Sequence, residues 1–129
     1  MSNNKINRAI IINGTPGISS NPGVLMPEWT IHGSSQAIFY GEGVLTKDIT
    51  ASFKSSIYYK NITDIIIRNY SSIGDSAMEF FEYVKTLTIG ESVIDINSMA
   101  FNDTNTLTQV NFATGSQLQS IGARAFEGT

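Results

Sequence analysis

Residues 84–101 read Val84-Lys-Thr-Leu87-Thr-Ile89-Gly-Glu-Ser-Val93-Ile-Asp-Ile96-Asn-Ser-Met-Ala100-Phe101, and the same order of side-chain types stands on either side of them. Upstream is Ile62-Thr-Asp-Ile65-Ile-Ile67, followed by Tyr70-Ser-Ser-Ile73-Gly-Asp-Ser-Ala77-Met78. Downstream is Leu107-Thr-Gln-Val110-Asn-Phe112, followed by Leu118-Gln-Ser-Ile121-Gly-Ala-Arg-Ala125-Phe126. The openers Ile62, Val84 and Leu107 lie 22 and 23 residues apart, and the anchors Ile73, Ile96 and Ile121 lie 23 and 25 apart. The two extra residues of the third unit fall near Gly115 and Ser116, a turn composition that tolerates insertion. Three copies in register at a fixed period are the mark of a repeat architecture.

Each copy has a simple physical logic. Apolar side chains at the first, fourth and sixth positions of the opener point inward, the last two with the two-residue period of a strand. A second apolar pair follows a turn: Tyr70/Ile73, Val93/Ile96 and Leu118/Ile121. Then come a small residue and a bulky one: Ala77-Met78, Ala100-Phe101 and Ala125-Phe126. The small residue lets backbones approach, and the bulky one plugs the space between neighbouring units. One unit cannot bury this set alone, whereas stacked units can.

The pattern resembles the BspA-type leucine-rich repeats, whose hallmark is a strand followed by Ile-Gly-x-x-Ala-Phe. Ile73-Gly74, Ile121-Gly122, Ala100-Phe101 and Ala125-Phe126 match it; Asn97 replaces the glycine once, and Met78 replaces the phenylalanine once. The family often carries Cys three positions after its Phe, where this chain has Phe81, Thr104 and Thr129. The period also sits in the range of roughly 20–29 residues typical of leucine-rich repeats. The resemblance implies a binding role of the surface-recognition or adhesion kind and names no ligand.

Residues 1–56 lack the period and hold all three prolines, Pro16, Pro22 and Pro27. Short strands are expected over residues 8–12, 28–32 and 36–40, joined by turns, with residues 47–56 either one helical turn or a loop. Trp29-Thr-Ile31-His-Gly33 loosely resembles the strand of a BspA-type N-terminal β cap. The segment is read as a cap over the first unit or, alternatively, as an attachment segment.

Little in the chain points to chemistry. His32 is the only histidine and there is no cysteine, so neither a thiolate nucleophile nor a recognisable metal-ligand spacing exists. Gly14-Thr-Pro-Gly17 is read as a turn, because Pro16 removes an amide that a phosphate cradle needs. Glu79 and Glu82 would share a face of a short helix over residues 77–83, on a solvated convex surface. Asn13, Asn61, Asn69 and Asn102 open glycosylation sequons, which act only on exported chains. The eight basic residues are scattered from Lys5 to Arg124 and the net charge is -3, which disfavours nucleic acid. The apolar run 9–12 is too short for an ordinary export signal, and no stretch approaches the ~20 apolar residues of a membrane span. Cytoplasmic, virion-associated or non-standard surface locations all stay open.

The expected fold is mainly β: a right-handed leucine-rich-repeat solenoid of two to three coils with an irregular β N-terminal cap. The cap or attachment segment covers residues 1–56, and residues 57–129 carry the repeats as 62–83, 84–106 and 107–129. Side chains at opener positions two, three, five and seven face away from the core and stack in rows. The residues expected to bind are Asp64, Ile66, Arg68, Lys85, Thr86, Thr88, Gln109 and Asn111, a hydroxyl- and amide-rich concave sheet suited to a protein or glycan ligand. The expected function is a non-catalytic recognition or adhesion module, without cofactor or bound metal. The alternative is a structural or decorating subunit of a virion or appendage, anchored by its N-terminal segment. The 11-residue step from Ile121 would place another opener at position 132, beyond Thr129. The strand at 107–112 and Phe126 are therefore expected at an open edge, to be covered by further repeats, a partner or a second copy.

Overall fold

Alternation of apolar and polar residues in the openers produces strands, and the computed structural model stacks them in parallel. It describes residues 15, 16 and 28–129. In chain order the elements are β1 (Thr15–Pro16), β2 (Trp29–His32), β3 (Gln36–Tyr40), β4 (Val44–Leu45), helix α1 (Lys47–Lys54), a 3-10 turn (Tyr59–Asn61), β5 (Asp64–Arg68), β6 (Ser72–Ile73), β7 (Thr86–Ile89), β8 (Asp95–Ile96), β9 (Gln109–Phe112) and β10 (Ser120–Ile121). A six-stranded sheet runs β1-β2-β3-β5-β7-β9, and a four-stranded sheet runs β10-β8-β6-β4. The first is antiparallel through β1, β2 and β3 and parallel from β3 onward; the second is parallel throughout. Every repeat lends one strand to each sheet. Ile65 faces Leu87 and then Val110, while Ile73 faces Ile96 and then Ile121, so the openers and anchors pair in the register their spacing implies.

The plugs behave as their positions require. Ala77, Met78, Ala100 and Phe101 are all buried, Phe101 to 1% exposure. The segment around each plug is not a helix, contrary to the expectation for residues 77–83. Ser76, Met99 and Arg124 take positive φ (56°, 58° and 59°), and so do Phe80, Asp103 and Gly128 (63°, 55° and 77°). Two left-handed residues four apart in each unit break any helical run. They also turn alternate amides toward the next unit. Ser76, Met78 and Phe80 donate to the carbonyls of Ser98, Ala100 and Asn102. Met99, Phe101 and Asp103 donate likewise to Ala123, Ala125 and Glu127. This third ladder replaces the intrahelical bonds a helix would have made.

Close approach of successive units explains the small residues. A Cβ on Gly122 would lie 2.7 Å from the Ser98 amide, and one on Gly90 would lie 2.6 Å from the Ile67 carbonyl. Asn97, standing where the other units have glycine, donates from Nδ2 to Ser72 Oγ at 3.3 Å. Where the family often has Cys, the buried Thr104 donates its hydroxyl to the Met78 carbonyl of the preceding unit.

The N-terminal segment joins the repeat more directly than a separate cap would. β3 pairs with β5 in parallel over its full length, and Leu45 stands opposite Ile73 in the second sheet. The expected strand over 28–32 forms as Trp29–His32, and that over 36–40 as Gln36–Tyr40; residues 8–12 lie outside the described residues. Within 14–17, Thr15 and Pro16 extend against Ile31 and Thr30. Residues 47–54 resolve the open reading as a helix. Thr46 caps it by accepting from the Ile49 amide, with Asp48 in its first turn and Lys54 in its last, both favourable to the helix dipole. The helix directs Phe53 into a ring of aromatics and bonds Thr50 Oγ1 to the Ala77 carbonyl, so it lies over the first repeat.

Burial has an electrostatic consequence at Tyr70. Removal from solvent, with the nearby Glu28 carboxylate adding to it, pushes the Tyr70 phenol up to about 12 from 10.0. The native state thus holds this proton across a range where the unfolded chain has lost it. Stability should fall as pH rises between those two values, by ~2–3 kcal/mol once both states are ionised. Urea unfolding at about pH 9 and about pH 11.5 should show the loss, and Tyr70→Phe should flatten it. An equally steep loss in Tyr70→Phe would reject this assignment.

At the far end, β9 and β10 are the outer strands of their sheets. Phe112 is 44% exposed and Ile121 52%, although both hold core positions in the repeat pattern. The expectation that Ile121 is an inward anchor fails for a geometric reason. Its row is right, but among the described residues no unit lies beyond it to cover its outer side. Phe126 stacks on Phe101 with ring centroids 5.2 Å apart and is half-buried.

Candidate functional site

The outer face of the six-stranded sheet gathers the polar positions of every strand, since a two-residue period sends alternate side chains away from the core. Asp64, Thr86 and Gln109 stand side by side, as do Ile66, Thr88 and Asn111. All the expected binding positions except Lys85 lie in β5, β7 or β9. Lys85 immediately precedes β7, is exposed, and is held by amide bonds from Lys85 to the Thr63 carbonyl and from Thr108 to the Lys85 carbonyl. Arg68 ends β5 and is exposed.

The rows extend further than the repeats alone suggested. β3 places Gln36 beside Asp64, Ile38 beside Ile66 and Tyr40 beside Arg68. β2 adds His32 opposite Gln36 and Thr30 opposite Ile38. His32 is therefore on β2, an inner strand flanked by β1 and β3. Gln36, Ile38 and Tyr40 were missed because helix α1 lengthens the first step. Ala37 precedes Ile65 by 28 residues, Phe39 precedes Ile67 by 28, and Leu45 precedes Ile73 by 28. That constant offset was the available signal, outside the period of the later units.

Several polar groups on this face are already oriented. Gln36 Nε2 donates to Asp64 Oδ2 at 2.7 Å, Gln109 Nε2 donates to Asn111 Oδ1 at 2.9 Å, and Thr30 Oγ1 bonds His32 Nε2 at 2.9 Å. Side chains locked this way present their remaining donors and acceptors at low entropic cost. At one end of the face, Tyr40 (54% exposed) and Arg68 stand as neighbours, with the buried Ile38 and the half-buried Ile66 two residues back along their strands. The face offers hydrogen bonds beside an exposed tyrosine–arginine pair.

Other candidates separate from it. Glu79 is not a solvated carboxylate: it meets Lys47 at 3.7 Å and accepts from Asn102 Nδ2 at 3.0 Å, while Glu82 is exposed. Asn102 is buried, so the folded chain withholds that sequon; Asn61 and Asn69 are exposed, and Asn13 lies outside the described residues. Among the described residues no three His, Asp or Glu side chains gather as a metal site, and no helix is long and apolar enough to cross a membrane.

No curated protein and no solved structure matches this chain. A family model described as the BspA type leucine rich repeat region (6 copies) matches residues 45–129. The match begins at Leu45, the residue that opens the second parallel sheet opposite Ile73. Two-thirds of the sequence thus carries both the pattern and the stacked strands of the repeat, and the chain belongs to the BspA-type leucine-rich repeat family.

Proposed function

We propose that the chain is a non-catalytic recognition module that binds a protein ligand on the outer face of its large sheet. Membership of an interaction-type repeat family supports the general role. In this reading the units wind as a right-handed solenoid, and the outer face is its concave side. The observation that carries the choice of ligand is the Tyr40–Arg68 pair, in register and exposed at the end of β3 and β5. Exposed tyrosine and arginine side chains on an otherwise polar surface are the residues from which protein-binding hot spots are built. Asp64, Lys85, Thr86, Thr88, Gln109 and Asn111 form the hydrogen-bonding surround.

The test is a selection of peptide ligands from a displayed random library, run beside a glycan array. Selected peptides should lose at least about tenfold in affinity on Tyr40→Ala and on Arg68→Ala, the effect of a single hot-spot truncation. They should keep their affinity on Ile57→Ser, a change at an exposed residue in the turn after α1. Peptides indifferent to both sheet substitutions, or binding confined to glycans, would reject the reading.

A further inference from the structure

Tyr40 and Arg68 share a row of the large sheet, and the row changes character on the far side of Arg68. On the β7 side the matching position falls to Gly90, whose amide donates to the Ile67 carbonyl at 2.8 Å. A Cβ there would lie 2.6 Å from that carbonyl and 3.3 Å from Arg68 Cα, so the position is closed to any side chain. Gly90 is itself buried and brings no polar group to the surface. The Arg68 side chain thus has tyrosine as its neighbour on one flank and no side chain on the other. Its diagonal neighbour on β7 is Thr88, roughly 7–8 Å away between backbones, and Asn111 stands beside Thr88 on β9. At this end of the face the strong acceptor is already taken, because Asn111 Oδ1 accepts from Gln109 Nε2. Farther back along β5, the Asp64 carboxylate likewise accepts from Gln36 Nε2. The strongest donor has no such partner. Among the described residues the ion pairs are Lys47–Glu79 and Arg124–Glu127. Glu28, Glu42 and Glu91 stand on segments flanking this end, and none of them pairs with Arg68.

We infer that Arg68 reads an acidic side chain, aspartate or glutamate, of a peptide bound on this face, with Thr88 donating a second hydrogen bond to the same carboxylate. This rests on the reading of the face as a protein-binding surface, and it names the residue type that the surface selects. A guanidinium is planar and meets a carboxylate through two parallel N–H donors, a match that no neutral side chain offers. The long arm of arginine and one carboxylate together span the diagonal from Arg68 to Thr88. A lysine or arginine of the peptide at the same place would set like charges side by side, so the position discriminates by repulsion as well as by attraction. The net charge of -3 does not oppose the pairing. Exposed charges farther apart than about 8–10 Å are largely screened at physiological salt, whereas a contact pair is not.

The test uses the full chain and peptides selected on it, resynthesised with amidated C-termini so that only side chains carry carboxylates. Replacing their acidic residues one at a time, Asp by Asn and Glu by Gln, should reveal one position whose loss weakens binding by at least about tenfold. Against Arg68→Ala the same replacement should change affinity by less than about twofold, the outcome of a double-mutant cycle across a direct pair. Arg68→Gln keeps most of the aliphatic arm and should behave like Arg68→Ala, which separates lost charge from lost packing. Thr88→Val should weaken the acidic peptide by at least about threefold and leave its amide counterpart unchanged. Arg68→Glu should invert the preference and favour lysine at that peptide position. Peptides that lose affinity on Arg68→Ala yet have no such acidic position would overturn this inference and leave the reading of the face intact. A selection that yields no peptide, or only peptides indifferent to Arg68→Ala, would reject the two together. Equal affinity in Thr88→Val would strike Thr88 from the pair.

Discussion

Truncation of Phe53 to alanine should destabilise the chain by ~3–5 kcal/mol, a loss that would leave a single small domain with little stability in reserve. Phe53 is fully buried on the inner side of α1. Its ring meets Trp29 at 5.4 Å, Phe39 at 5.3 Å, Tyr59 at 5.8 Å and Phe81 at 6.1 Å, most of them edge to face. These four partners come from β2, β3, the 3-10 turn and the first plug turn. One side chain thus joins the N-terminal strands to the repeats, and its removal opens a cavity that no single neighbour can fill. Edge-to-face pairs add to the area term, so the upper half of the range is expected. Urea unfolding should show a lower midpoint with an unchanged slope. A loss under about 1 kcal/mol would mean that α1 is not part of the cooperative core.

Phe101→Ala should cost a similar ~3–5 kcal/mol by a different route. Phe101 fills the space between the second and third units at 1% exposure, and Phe126 stacks on it with rings 12° from parallel. Deleting the ring leaves Phe126 without its partner at the already open end, so the third unit should lose protection first. Amide exchange across residues 107–129 should rise more than exchange across 62–83. Uniform loosening of all three units would show that the plug does not act at that one junction.

These two phenylalanines mark where sequence reading succeeds and where it stops. The role of Phe101 was legible because its neighbours repeat. An Ala-bulky pair recurring at a fixed distance after an alternating strand leaves one way to bury every apolar position, and the strand register follows from the same count. Asp64, Thr86 and Gln109 form a row for that reason, as do Ile66, Thr88 and Asn111. Phe53 has no repeat partner, and nothing in residues 47–56 distinguished an inward aromatic from an exposed one.

The N-terminal extension of the site was hidden in a comparable way. Gln36, Ile38 and Tyr40 belong to the outer face because β3 pairs with β5, and α1 had lengthened the intervening step to 28 residues. The sequence by itself determined the repeat, its register, the buried plugs and the polar rows, because periodicity is a local property that each unit states for itself. Only the tertiary structure decided two further things: that residues 77–83 form turns with left-handed residues in place of a helix, and that the outer face extends through β3 and β2. The physical reason is the same in each case. Backbone amides and apolar side chains are satisfied by whichever unit stacks next, and a chain's own pattern does not say which neighbour that is.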